Sequence, residues 1–197
     1  MGFWNRFGFG IGPHHMQDTA GQTTGATMTA LSADGQYSGG GFLFEGNTGD
    51  YARLLNDAAD VGTIVDGGGK TYTFTGLVPG LYEVYTYAVN IWGVAIDTPV
   101  TIPEAVGPMT QVVTGPMPGN GFEFLVTHSI HTVDLALGDS FRIIFKQPPF
   151  EETIQCVNGF QVVPVPETET RVLVILGCLY LVIVNRSRVR LYDQEQG

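Results

Sequence analysis

The sequence predicts a mainly β protein, a β-sandwich body followed by one C-terminal transmembrane helix. Three observations lead to this prediction. Charged residues make up only 14% of the 197 residues and 27 residues are glycine, a composition that favours strands and tight turns over helical bundles. A strand–turn–strand pattern covers residues 71–89, and an uncharged apolar run covers residues 172–184.

The clearest local pattern is a pair of strands joined by a short turn. Residues 71–75 and 81–89 are rich in Thr, Tyr and Val, and Pro79-Gly80 between them suits the central positions of a type II turn. Side chains alternate along a strand. The second strand therefore carries Leu81, Glu83, Tyr85 and Tyr87 on one face and Tyr82, Val84, Thr86 and Ala88 on the other. Both faces are mostly apolar or aromatic, so we expect this strand to be central and covered on both sides.

Several shorter segments complete the predicted body. One helix is predicted at Asp50–Asn56, with Asp50 as its N-cap. Short strands separated by Gly- and Pro-rich turns are typical of a sandwich or jelly roll. The further predicted strands cover residues 25–31, 110–114, 121–127, 130–136, 140–146 and 154–163.

The net charge of −10 lies entirely in the first part of the chain. Residues 1–165 carry 5 basic and 15 acidic side chains, and residues 166–197 carry 4 of each. Phosphate binding needs a basic face, so the acidic body argues against nucleic acid as a partner, and none is predicted. The same charge argues against docking of the body on anionic lipid headgroups.

The apolar run at 172–184 predicts a membrane anchor. As a helix it would rise about 20 Å at ~1.5 Å per residue, and arginines at both ends can extend its reach across a core of about 30 Å. These flanking side chains are Arg171 on one side and Arg186, Arg188 and Arg190 on the other. The cluster of three places the C-terminus in the cytoplasm. The alternative, a final buried strand, would be unusually long and would lack alternation.

The chain is therefore predicted to consist of four parts. The body covers residues 1–163, a Pro/Glu/Thr-rich spacer 164–171, the transmembrane helix 172–185 and a basic cytoplasmic tail 186–197. Residues 1–8 contain no apolar stretch of the kind found in a signal peptide. An anchored protein of this type is exported, so we expect the body to be missing its N-terminal start.

The C-terminal layout resembles the PEP-CTERM sorting signal of exported bacterial proteins. The matching residues are Pro166 and Glu167, the helix at 172–184 and the arginine cluster that follows it, with Thr168 where the family has a second proline. The resemblance implies export and recognition by an exosortase-like processing enzyme. It also implies a protein that is membrane-anchored or delivered to the cell surface or extracellular matrix.

A second resemblance covers most of the body. Trp4-Asn5, Asp18–Gly21, Gly76–Tyr85 and Val157–Gln161 are similar to motifs of the galactose-binding-like jelly-roll domains found ahead of PEP-CTERM anchors. The resemblance implies a galactose-binding-like β-sandwich. It does not identify a ligand.

No catalytic pattern is found in the sequence. There is no Gly-x-Ser-x-Gly elbow, no phosphate loop and no pair of carboxylates in a recognisable arrangement. His14-His15 is predicted to lie in a loop, and His128 and His131 would lie on opposite faces of a strand, so no metal site is expected. Cys156 and Cys178 are predicted to be unpaired thiols. We therefore predict that the protein is not an enzyme and needs no cofactor.

A sugar-binding site is one alternative that the sequence leaves open. Trp92 follows the clearest strand and could present an aromatic ring to a sugar, with Asn90 and Asp97 supplying hydrogen bonds. Trp92 could equally cap the core of the sandwich. A structural calcium ion held by Asp18 and Asp50 is a further alternative.

Three functional interpretations follow from these observations. The first is a non-catalytic exported protein of the cell envelope or extracellular matrix, tethered by its C-terminal helix. The second is the same architecture with a polysaccharide-binding site. The third is a fragment of a secreted polysaccharide-acting enzyme whose catalytic part lies upstream.

Overall fold

The fold is taken from a computed structural model that describes residues 12–18, 20–32, 41–43, 54–55, 57–61, 69–90, 94–116, 121–146 and 155–166. The chain divides into two compact units, Met1–Pro164 and Val165–Gly197. All of the elements below belong to the first unit.

Twelve strands are found in the described part of the chain, which confirms the mainly β class. Their bounds are β1 His14–Gln17, β2 Thr23–Ser32, β3 Gly41–Leu43, β4 Asp57–Asp60, β5 Lys70–Thr75, β6 Gly80–Tyr87, β7 Thr98–Thr101, β8 Thr110–Val113, β9 His128–Leu135, β10 Phe141–Phe145, β11 Cys156–Val157 and β12 Gly159–Pro164.

The strands form three antiparallel sheets. The largest has six strands in the order β1-β2-β5-β10-β7-β8, the second has the order β12-β6-β9, and the third has the order β11-β4-β3. Strand β6 is central in the second sheet, as predicted, with β12 and β9 on its two sides.

The core lies between the six-stranded sheet and the sheet formed by β12, β6 and β9. Phe74 and Phe141 stack on the first of these sheets with ring centroids 4.7 Å apart. Phe160 of β12 reaches across to Phe74 at 5.6 Å and to Tyr72 at 4.7 Å. Burial of these rings removes a large apolar area from water, which is the main favourable term in holding the two sheets together.

The two faces of strand β6 differ in burial. Tyr82, Val84 and Thr86 share one face, as the alternation predicts, and the structure shows that this face is buried in the core. On the outer face Leu81 is exposed, whereas Tyr87 at the other end of the strand is buried. The strand is therefore covered on its core side and at one end of its outer side, and the prediction of cover on both faces is only partly correct.

The connection from β5 to β6 depends on a close approach between two glycines. Gly76 has φ 73°, and a Cβ atom at this position would lie 2.5 Å from the carbonyl oxygen of Gly25 in β2. Only glycine accepts both this conformation and this contact. Gly80 lies at φ 149° and begins β6, so the predicted type II turn at Pro79-Gly80 is not formed.

Other local predictions are also corrected. Residues 121–127 form a turn, not a strand, and the predicted strand 154–163 is divided into β11 and β12 at Asn158. His14 and His15 lie in β1, not in a loop. Of the predicted helix, Leu54 and Leu55 are described and are helical.

The outer edge of β9 is closed by the segment before and within β8. The backbone N–H of Val106 donates to Thr132 O at 2.7 Å. Gln111 donates from Nε2 to Ile130 O at 2.6 Å, and its Oε1 accepts from Ile130 N at 3.0 Å. These bonds satisfy edge groups that would otherwise be open to another strand, and they fix the position of β9.

Within the described ranges no helix is long and apolar enough to cross a membrane. The predicted helix at 172–185, its flanking residues Arg171, Arg186, Arg188 and Arg190, and Glu167 of the sorting motif lie outside those ranges. Pro166 is described and is exposed.

Candidate functional site

An aromatic surface covers one end of the outer face of the sheet formed by β12, β6 and β9. We define it by five side chains: Tyr85, Tyr87, Phe122, Phe124 and His128. Strand alternation places both tyrosines on the outer face of β6, and the antiparallel register sets His128 directly opposite Tyr87. The sequence alone places the two tyrosines on one face of β6. That His128 is their neighbour depends on the register between β6 and β9.

The rings of this surface contact one another around His128. Its ring centroid lies 5.3 Å from that of Tyr87, 5.8 Å from that of Tyr85 and 6.3 Å from that of Phe124. Phe122 meets Tyr87 edge-on at 5.4 Å. These separations lie in the range in which aromatic pairs attract each other beyond simple area burial.

The five rings differ in burial, and Tyr85 is half-buried, between the two extremes. Tyr87 and His128 are buried, whereas Phe122 is 39% exposed and Phe124 is 48% exposed. The outer rings are thus supported from below by buried ones, and they present aromatic area to solvent.

The turn at 121–127 holds the two phenylalanines in place. Thr127 Oγ1 accepts from Glu123 N and donates to Glu123 O, each at 2.9 Å. Leu125 has φ 62°, a left-handed conformation that is strained for a residue other than glycine. It is held by bonds from Leu125 N to His128 O and from Thr114 N to Leu125 O.

The same threonine sets the tautomer of His128. Thr127 Oγ1 lies 2.9 Å from His128 Nδ1. A hydroxyl has one proton, and Thr127 uses its proton on Glu123 O, so His128 Nδ1 must be the donor in this contact. Burial lowers the pKa of His128 below its usual value, which favours the neutral ring. The remaining nitrogen, Nε2, is therefore an acceptor.

The two tyrosine hydroxyls connect the aromatic surface to polar neighbours. Tyr87 donates to Gln161 Oε1 on β12 at 2.9 Å, and Tyr85 donates to Glu83 Oε2 at 2.8 Å. Burial, with a smaller effect of Tyr85, raises the pKa of Tyr87 to about 12. The hydrogen bond to Glu83, followed by burial, raises the pKa of Tyr85. Both hydroxyls are protonated at neutral pH and act as neutral donors.

The residues predicted for sugar binding bracket the connection between β6 and β7. Asn90 follows β6 and is only 3% exposed, Asp97 precedes β7 and is exposed, and Trp92 lies outside the described residues. Gln155 Nε2 donates to Asp97 O at 2.9 Å, which fixes the far end of this connection. Because Asn90 is buried, its amide is poorly placed to meet a ligand from solvent. The proposed trio stays a prediction.

The remaining histidine of β9 faces the core. His131 is 1% exposed and pairs with Val84 across the strands, on the face opposite His128. Burial lowers the pKa of His131 to about 4, with a smaller opposing effect from the nearby backbone of Met109. The hydroxyls of Thr86 and Ser129, which pair across the same two strands, are fully buried and have no hydrogen-bond partner among the described residues. A substrate from solvent has no access to these groups.

The described part of the chain was the place to look for ligands of the structural calcium ion that the sequence left open. No group of three or more His, Cys, Asp or Glu side chains there could hold an ion. Asp18 Oδ1 accepts from Ala20 N and Gln22 N, each at 2.9 Å, so it stabilises the turn between β1 and β2. Asp50 lies outside the described residues.

Comparisons with known proteins give a weak structural likeness. No protein-family model matches the chain, and no curated protein sequence matches it. Among solved structures, the chain resembles a family GH115 4-O-methyl-α-glucuronidase with specificity for decorated arabinogalactans, at a TM-score of 0.37 and 15% sequence identity. The match covers 70% of this chain and 17% of the glucuronidase chain.

Proposed function

We propose that this chain is a non-catalytic, exported protein of the cell envelope or extracellular matrix that binds surrounding material through its aromatic surface. The observation that supports binding is the pair of exposed rings, Phe122 and Phe124, held on buried Tyr87 and His128. Exposed aromatic side chains that are fixed by their neighbours bind at a low cost in conformational entropy.

The non-catalytic part of the proposal rests on where the reactive side chains lie. His131 and Ser129 face the core and cannot meet a substrate. The carboxylate of Glu83 accepts a hydrogen bond from the Tyr85 hydroxyl. Paired carboxylates or a base-activated nucleophile would be needed for hydrolysis of a glycan.

The location and the finer fold are proposed from the sequence together with the sheet packing. The order of Pro166-Glu167, the apolar segment 172–184 and the arginine cluster supports a membrane tether of the PEP-CTERM kind, with processing by an exosortase-like enzyme. Two antiparallel sheets that share the core around Phe74 and Phe160 support a β-sandwich of the jelly-roll, galactose-binding-like type.

Fractionation of the native cell tests this function. In a chain that lacks residues 171–197, we expect the body to leave the membrane fraction and to remain with the extracellular matrix. Replacing both exposed rings, Phe122→Ala with Phe124→Ala, should then release it into the medium. The matched control is Leu137→Ala, since Leu137 is an exposed apolar side chain in the β9–β10 turn. Equal matrix retention with and without the two rings would contradict binding through the aromatic surface.

A further inference from the structure

We propose that the aromatic surface binds the pyranose rings of a neutral polysaccharide. This inference rests on the proposed function and names its ligand class. It also places the sugar site on the outer face of the β12-β6-β9 sheet, away from the connection between β6 and β7 that bears Asn90 and Asp97.

The exposed rings suit a sugar because a pyranose has apolar C–H faces and a polar rim. Phe122 and Phe124 offer flat apolar area, and edge contacts with Tyr87 and His128 fix their orientation before a ligand arrives. Such preorganisation lowers the entropy that binding must overcome. A ligand that stacks on these rings needs no rearrangement of the turn at 121–127.

Hydrogen-bonding groups for sugar hydroxyls lie beside the rings. Gln161 pairs with Tyr85 across β12 and β6, and it uses Oε1 to accept from Tyr87. Its Nε2 group therefore remains as a donor. Glu83 lies two residues before Tyr85 on the same face of β6, and its Oε2 accepts a hydrogen bond from the Tyr85 hydroxyl at 2.8 Å. Half-buried amide and carboxylate groups next to aromatic rings match the alternation of polar and apolar faces in a sugar chain.

Charge restricts the polymer to a neutral one. The body carries the whole net charge of −10, and Glu83 adds a carboxylate next to the rings. A polymer of uronic acids would meet like charge at the site and over the surrounding body. A neutral polysaccharide has no such penalty.

The size of the surface favours a sugar chain over a protein partner. A stable protein–protein interface buries roughly 800 Å² on each side, with an apolar centre and a polar rim. Among the described residues, the exposed aromatic area of this surface comes from two side chains, Phe122 and Phe124. Polar side chains lie close to the inner rings, since Gln161 of β12 pairs with Tyr85 and Glu83 lies two residues before Tyr85 on β6. A narrow ligand that needs few rings and several hydrogen bonds fits this arrangement better.

Affinity electrophoresis of the full chain in mild detergent tests the proposal. The gels contain hydroxyethylcellulose or galactomannan as neutral polymers, or polygalacturonate as an acidic one. We expect at least one of the two neutral polymers to retard the protein. Polygalacturonate should not retard it. Removing both rings (F122A with F124A) should weaken binding at least about tenfold, which corresponds to about 1.4 kcal/mol.

Two further variants separate stacking from general hydrophobic contact. Phe122→Leu with Phe124→Leu keeps apolar volume and removes the rings, so it should lose the retardation. Phe122→Tyr with Phe124→Tyr keeps the rings and should retain it. Leu137→Ala is the control for exposed apolar area elsewhere, and circular dichroism confirms that each variant is folded.

Each outcome decides the proposal. Retardation that survives in the double leucine variant, or that is equal in polygalacturonate, overturns it. If no polymer retards the protein although the rings are needed for matrix retention in cells, the aromatic surface binds another ligand and only this inference fails. If the rings are needed in neither assay, the proposed function fails as well.

Discussion

Acid should destabilise this fold mainly through His131, a histidine buried in the core. His131 lies on the core face of β9 and is almost completely removed from water. Its ring must be neutral in the folded protein, because an uncompensated imidazolium in the core is costly. We therefore expect replacement of His131 by Leu to flatten the dependence of stability on pH below neutrality.

The size and direction of the effect follow from the two pKa values. The pKa of His131 is about 4 in the folded protein and about 6.5 when unfolded. The unfolded state therefore binds the proton first as the pH falls. Stability is fully present above about pH 6.5 and is lost progressively down to about pH 4. A difference of about 2.5 pKa units corresponds to about 3 kcal/mol, a large part of a total stability of about 5–15 kcal/mol.

Urea unfolding of the full chain at pH 7.5 and pH 4.5 measures this effect. The free energy of unfolding of the wild type should fall by about 2–3 kcal/mol more than that of the His131→Leu variant. His128 contributes in the same direction, since burial also lowers its pKa, so a smaller acid loss should remain in the variant. His15→Leu, at an exposed position of β1, is the control and should behave as the wild type. An equal acid loss in wild type and His131→Leu would refute the reasoning.

Three other predictions concern packing and topology. Val84→Asp should unfold the body, because an unpaired carboxylate enters the core at a cost of several kcal/mol, whereas Val163→Asp on the exposed outer face of the same sheet should change thermal melting little. Gly76→Ala should cost about 1–3 kcal/mol because its Cβ would meet Gly25 O; Gly138→Ala, also at positive φ but with nothing within 4 Å, reports the cost of φ alone, and equal losses would contradict the clash. Replacing the arginines of the C-terminal cluster by Ser should leave membrane association intact. A reporter fused at Gly197 should then lie on the other side of the membrane in part of the population, and an unchanged orientation would contradict the predicted topology. The cluster consists of Arg186, Arg188 and Arg190.

Several features of this protein could be predicted from the sequence alone. Composition and the pattern at 71–89 indicate a mainly β body, and alternation places Val84 on one face of β6 and Tyr85 and Tyr87 on the other, as the structure confirms. These features depend on the two-residue period of a strand, which is a local property of the chain. The local pattern gave a wrong prediction where tertiary contacts override propensity, as at 121–127, where a segment with two Phe, one Leu and one Val forms a turn held by Thr127.

The aromatic surface was decided only by the tertiary structure. Tyr87 and His128 are distant in sequence, and nothing in either strand alone specifies the register that sets them side by side. The same holds for Gln161, which reaches Tyr87 from β12. The register also decides the surroundings of the two histidines of β9. His128 pairs with Tyr87 and joins the aromatic surface, whereas His131 pairs with Val84 and faces the core. The sequence determined which side chains alternate, and long-range strand pairing determined which of them meet, because pairing is selected by the packing of the whole core.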